Sequence, residues 1–118
     1  MSTALQSNII QIIANSQAIG RISYHPSFSV ICSIGQAPFH GVIDIIYQPQ
    51  EALLEFESFD KWLKSIALQS MTIEGLCRLV FDELSEALGD IPLSVTIHAE
   101  TTVHAPASAQ IIRGDFNE

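Results

Sequence analysis

Two side chains, Cys32 and Glu74, offer this sequence its most direct chemistry. A deprotonated thiol adds to an electrophilic carbon. A carboxylate presents two oxygens, and each can accept from one of the paired N–H donors of a guanine-like ring. Cys32 ends an alternating apolar run and precedes a turn, Cys32-Ser33-Ile34-Gly35-Gln36-Ala37-Pro38. Glu74 falls in the first turn of a helix-like segment, after Ser70-Met71-Thr72. If the fold joins them, they form a nucleophile and an anchor in one site. Otherwise Cys32 is a buried strand cysteine, as free cysteines often are, and Glu74 only opposes its helix dipole. No Lys or Arg lies near Cys32 in sequence. His40, a backbone amide or another subunit would have to stabilise its thiolate.

Periodicity indicates the elements that must position these groups. Residues 4–19 place Leu5, Ile9, Ile12 and Ile13 at helical spacing, with Ile19 further on and Gly20 as a stop, so a short N-terminal helix is expected. After Pro26, residues Phe28, Val30, Cys32 and Ile34 alternate with Ser27, Ser29, Ile31 and Ser33 as in a strand. Residues 35–38 turn the chain into a second strand, Val42 to Tyr47, ended by Pro49. A helix opens near Ser58, which can cap it, and Phe59, Trp62, Leu63 and Ile66 form its apolar face. Thr72 can cap a second helix with a stripe of Leu76, Leu79, Val80, Leu84, Ala87 and Leu88, and Gly89 stops it. Cys77 lies beside that stripe in the core, while Asp82, Glu83 and Glu86 read as a solvated face. Leu93, Val95, Ile97 and Ala99 then face one way on a third strand, and Ser94, Thr96, His98 and Glu100 the other. Residues 107–113 supply the fourth strand.

The chain therefore reads as one domain, 1–118, with a helical extension over 1–20 and a flexible tail over 114–118. Its order is β-β-α-α-β-β. Hairpin-paired strands with two helices grouped on one face make an α+β antiparallel sheet. The open edges of such a sheet need cover, and joining sheets between subunits supplies it.

Bulk properties narrow the partners. The 118 residues are 47% hydrophobic and only 15% charged, apolar for so small a chain. Burial between subunits would absorb the excess, and a homo-oligomer is expected. No apolar run reaches the roughly 18 residues of a membrane span, and no basic region opens a secretion signal. Two cysteines without a targeting segment suggest free thiols in a reducing, cytoplasmic setting. Net charge is −8, and the five Lys+Arg form no run. That argues against DNA or tRNA, whose binding needs cationic phosphate contacts.

Order and residues together resemble the tunnelling-fold superfamily over roughly residues 28–112. The resemblance implies subunits that join into barrels and bind purine- or pterin-like substrates between them. The more similar branch is 7-cyano-7-deazaguanine reductase (QueF) and its shorter QueF-like relative, the archaeosine amidinotransferase. Their pattern matches Cys32, Tyr47-Gln48-Pro49, Glu55 with Ser58, and Glu74. The segment 52–61 is more similar to the amidinotransferase. The resemblance implies that Cys32 attacks a nitrile to form a thioimide, that Glu74 anchors the deazaguanine, and that Glu55 and Ser58 contribute to substrate binding. The reductase's Lys-rich NADPH segment is depleted here, which weighs against that cofactor. The family's proton-donor Asp, seven after the Cys, is Phe39 in this sequence. Neighbouring His40 is a substitute, although one step along a strand reverses the side chain.

A second branch, GTP cyclohydrolase I, is similar along Cys32, Pro38-Phe39, Gly41, Tyr47 and Pro49, and along Ile97-His98-Ala99-Glu100. Its zinc ligands fall on Gly35 and Val103, leaving one of three. His40, His98 and His104 match no standard metal spacing, so no metal site is assigned. The leading expectation is thus an enzyme of deazapurine (queuosine-type) metabolism, a nitrile reductase or amidinotransferase, working on a small molecule. The alternative is a non-catalytic purine- or pterin-binding or scaffold protein, and a pteridine-forming cyclohydrolase ranks third.

Overall fold

The computed structural model describes residues 9–67, 69–101 and 103–116. Its strands are β1 (Ile12–Ala14), β2 (Ile22–Tyr24), β3 (Ser27–Cys32), β4 (Pro38–Tyr47), β5 (Ala52–Leu54), β6 (Ser70–Met71), β7 (Leu93–Glu100) and β8 (Ala107–Arg113). Helix α1 (Phe56–Ser65) lies between β5 and β6, and α2 (Ile73–Leu88) between β6 and β7. The main sheet runs β6-β3-β4-β7-β8, with β2 paired to β4 beyond β3. Every pairing in it is antiparallel except β3 with β6.

Alternation sorts the sheet into two faces. On β4 the residues Phe39, Ile43, Ile45 and Tyr47 are buried, and on β7 Leu93, Val95, Ile97 and Ala99. Registers Ile43↔Ile97 and Ile45↔Val95 put these rows side by side. Both helices join this face. Phe59, Trp62, Leu63 and Ile66 of the α1 segment and Leu76, Val80 and Leu84 of α2 belong to the same buried cluster. Each such side chain contributes about 1.5–3 kcal/mol by leaving water. Tyr24 fastens β2 to α1, stacking on Phe56 with ring centroids 4.2 Å apart and donating its hydroxyl to Asp60 at 2.6 Å. The other sheet face carries His40, Val42, Asp44, His98 and Ser108, which are exposed or half-buried. Among the described residues, no helix is long and apolar enough to cross a membrane.

Close approach of β4 and β7 requires Gly41, because a Cβ there would sit 1.7 Å from the His98 carbonyl oxygen. Arg113 closes the far end of α2. It donates to the Gly89 and Ile91 carbonyls and to the Ser85 hydroxyl, clamping the helix terminus onto β8. Gly89 ends the helix as expected, but with φ 89° and ψ −162°, a positive-φ conformation open to glycine rather than the αL one.

Several expectations need correction. Residues 12–14 are strand, not helix, and pair with β5 in the register Ile12↔Leu54. Residues 1–8 of the expected extension lie outside the described residues. Ile12 and Ile13 are 47% and 51% exposed, so their helical spacing served no core. The Asn15 side chain then accepts from the Ile19 N–H and donates to the Ile19 carbonyl, and Ala18 has φ 56°, which ends any helical path. Helix α1 starts before Ser58, and its cap is Glu55, whose carboxylate accepts from the Glu57 and Ser58 N–H groups. Ile34 belongs to the turn, 84% exposed, rather than to the strand. Glu83 is buried and not solvated, because α2 shares a recess with Ile10 and Ile12. Burial and the nearby Glu86 and Asp82 carboxylates push its carboxyl up.

Tyr47 makes the fold testable at one atom. Its hydroxyl is buried and accepts from the Leu54 N–H at 2.9 Å, joining β4 to β5 just ahead of α1. Tyr47→Phe strands that N–H, and urea unfolding should report a loss of about 1–3 kcal/mol at unchanged slope.

Candidate active site

Cys32 is held by a short turn. Its N–H donates to the Ala37 carbonyl at 2.9 Å, and its carbonyl accepts from the Gln36 N–H at 2.8 Å. Gln36 takes φ 60° to make this closure. The Gly35 N–H points to the Cys32 sulfur at 3.5 Å, so among the described residues the donor at the thiol is a backbone amide.

What brings Glu74 to Cys32 is the two-residue strand β6. It pairs in parallel with β3, Ile31↔Ser70 and Cys32↔Met71, and the Ser33 N–H continues the ladder to the Met71 carbonyl at 3.2 Å. The next residue, Thr72, caps α2 by accepting from the Gly75 N–H at 3.0 Å. Helix α2 therefore starts beside the end of β3. Its first turn, with Glu74, opens onto the same space as the thiol.

That space is a cavity of about 380 Å³. Phe39, Ile73, Ala99 and Ala107 supply apolar wall, and Ile34 and Val103 contribute exposed apolar surface. Cys32, Thr72, Glu74, Thr101 and His104 supply the polar groups. The volume lies within the range of about 300–1,000 Å³ typical of small-ligand pockets. Cys32 is half-buried and Glu74 exposed, so both can meet a ligand.

His40 is elsewhere. Phe39 faces the Cys32 cavity, so the next residue on β4 faces the opposite side of the sheet. There His40 lines a separate recess of about 620 Å³ with His98, Glu100 and Ser108. It cannot carry protons for Cys32 within this chain. Glu55 and Ser58 are also apart from the thiol. Both Glu55 oxygens accept backbone N–H groups of α1. Buried Ser58 accepts from the Gln11 N–H at 2.8 Å and donates to the Glu55 carbonyl at 2.7 Å. They line a groove with Gln11 and Lys61.

His40, His98 and His104 do not share one site. His98 and His25 each meet one oxygen of Asp44 at 2.7 Å, and Ser108 lies 3.3 Å from the other nitrogen of His98. Burial pushes the Asp44 carboxyl up, but the hydrogen bonds and charges of the two imidazoles outweigh it and hold the group below its ordinary range. His104 is the member of the set to which the sequence assigned no role. It sits in the β7–β8 connection and lines the Cys32 cavity. Only the closure of that hairpin over the end of β3 reveals it, although Val103-His104-Ala105-Pro106 reads as a connection from the sequence. Among the described residues, no three or more His, Cys, Asp or Glu side chains are arranged to hold a metal ion. Cys77 is core, as expected, donating weakly to the Val95 carbonyl at 3.4 Å, and burial pushes its thiol up.

No family model matches the chain, and no curated protein matches it in sequence. Its fold does match solved structures. The crystal structure of the archaeosine synthase QueF-Like in the apo form superposes with a TM-score of 0.74 at 16% identity, over 83% of this chain and 97% of that one. The chain shares the fold of that structure, the tunnelling fold expected from the sequence. Within that fold the residues matched by pattern, Cys32 and Glu74, share a cavity.

Two measurements probe this geometry. Thiol titration of the native protein should count one reactive cysteine, Cys32, and a second, Cys77, only after unfolding. Asp44, whose folded pKa is depressed, contributes stability above its ordinary 3.8 that is lost as pH falls through the lower folded value. Asp44→Asn should therefore lower the urea midpoint at neutral pH, and the gap to wild type should close under strong acid.

Proposed function

We propose that this protein is a QueF-like enzyme that binds a nitrile-bearing 7-deazaguanine in the Cys32–Glu74 cavity and holds it as a covalent thioimide. The observation that carries this reading is the meeting of thiol and carboxylate on one cavity with an apolar wall. The wall of Phe39, Ile73 and Ala99 accepts a planar ring. Glu74 can take the ring's N1–H and exocyclic N–H with its two oxygens, which fixes the ring edge. The nitrile carbon then meets the Cys32 sulfur. A new S–C bond forms, one C≡N π bond opens, and the thiol proton ends on the nitrile nitrogen. Nothing leaves, so the adduct weighs protein plus ligand.

What resolves the thioimide must come from outside the chain. Reduction would take NADPH, whose expected basic contacts are depleted around residues 58–68, and amidine formation would take an ammonia source. Net charge of −8 favours a free base or nucleoside over tRNA. A second copy of the chain completes the site in this reading. Ile34 and Val103, 84% and 64% exposed, flank the cavity and would be buried beneath it.

A non-catalytic purine- or pterin-binding role is the competing reading, and the sparse support of the Cys32 thiolate favours it. Among the described residues, a single long backbone contact of 3.5 Å is the donor at the sulfur. Intact mass after incubation with 7-cyano-7-deazaguanine separates the two. The expected result is a gain equal to the whole ligand, abolished in Cys32→Ala and reduced in Glu74→Ala at limiting ligand. No gain in folded wild-type protein that still binds the base overturns thioimide chemistry and leaves the binding role.

A further inference from the structure

We propose that His104 is the proton carrier of the Cys32 site, taking the thiol proton and delivering it to the nitrile nitrogen. This rests on the thioimide reading. Adding S–H across C≡N moves one proton from sulfur to nitrogen and needs no other reactant. The sulfur must lose its proton to become nucleophilic, and the nitrogen must gain one as the π bond opens. One group that exchanges protons near neutral pH can do both.

Three titratable side chains line the cavity among the described residues: Cys32 from β3, Glu74 from α2 and His104 from the β7–β8 connection. Cys32 is the nucleophile. Glu74 commits both oxygens to the ring's N–H donors. The two hydroxyls are engaged as acceptors, Thr72 by the Gly75 N–H and Thr101 by the Val103 N–H at 3.3 Å. Phe39 lines the cavity and has no proton to give. His40 and Glu100 face the opposite side of the sheet. His104 remains, and its tautomer is set. Nδ1 lies 2.7 Å from the Ala105 carbonyl, which can only accept, so Nδ1 carries the hydrogen and Nε2 keeps the lone pair. Histidine is the ordinary side chain that changes protonation near neutral pH.

The test is the rate of adduct formation with 7-cyano-7-deazaguanine, followed by rapid-mixing intact mass from about pH 5 to 9, the range over which an imidazole titrates. His104→Ala should slow the adduct by about 100-fold or more and flatten the pH profile. Binding of 7-deazaguanine, which has no nitrile, should keep its wild-type affinity. His104→Gln should be as slow as His104→Ala, and free imidazole should restore part of the rate to the alanine variant. His40→Ala should react like wild type. Wild-type rate and pH profile in His104→Ala overturn the shuttle alone. A rate loss matched by an equal loss of 7-deazaguanine affinity also overturns it, because the residue would then only shape the cavity. No adduct in wild type overturns the thioimide reading and the shuttle together.

Discussion

The parallel contact between β3 and β6 is the constraint on which the site depends. It spans two residue pairs, Ile31 with Ser70 and Cys32 with Met71. Without it, nothing local would relate a strand-ending cysteine to a helix more than forty residues later. Because β6 is followed immediately by the Thr72 cap, the ladder leaves α2 no freedom to begin elsewhere. The helix start, its exposed first-turn carboxylate and the end of β3 become neighbours in one step. So small a strand holds its place because the main sheet supports β3 on its other side and the α2 stripe is buried against β7 and β8.

Alternation along the strands is the second constraint, and it divides the polar residues between two surfaces. The face under the helices is nearly all apolar, and the Cys32 cavity opens at its end. The opposite face gathers His25, Asp44, His98 and Ser108 into one line of hydrogen bonds. A histidine one step from the cavity-lining Phe39 is therefore as remote in function as one on another element. A histidine in the connection between β7 and β8 is not bound by strand alternation and reaches the cavity.

Helix caps explain why two other candidates act structurally within the chain. Glu55 and Ser58 sit at the start of α1, where unpaired N–H groups need acceptors. Both Glu55 oxygens meet that need, and Ser58 ties the helix to Gln11. Their place beside Lys61, on a groove that Cys32 does not line, leaves a role in an assembled oligomer to contacts a single chain does not make.

Much of the fold was legible from local pattern. The hairpin of β3 and β4, the stripe of α2 with Thr72 and Gly89 at its ends, the two-faced β7 and the span of β8 all follow from period and punctuation. Short strands were not legible, because runs such as Ala52–Leu54 and Ser70–Met71 carry no periodic signal. The N-terminal isoleucines misled, since helical spacing has force only where a core receives it. Within the site, residue chemistry marked Cys32 and Glu74 as candidates, and the resemblance supplied the expected roles of nucleophile and anchor. Tertiary structure decided that they share a cavity, that His104 joins them and that His40 does not. These are facts of strand pairing and side-chain direction across distant segments, and a linear sequence encodes them only through the packing they produce.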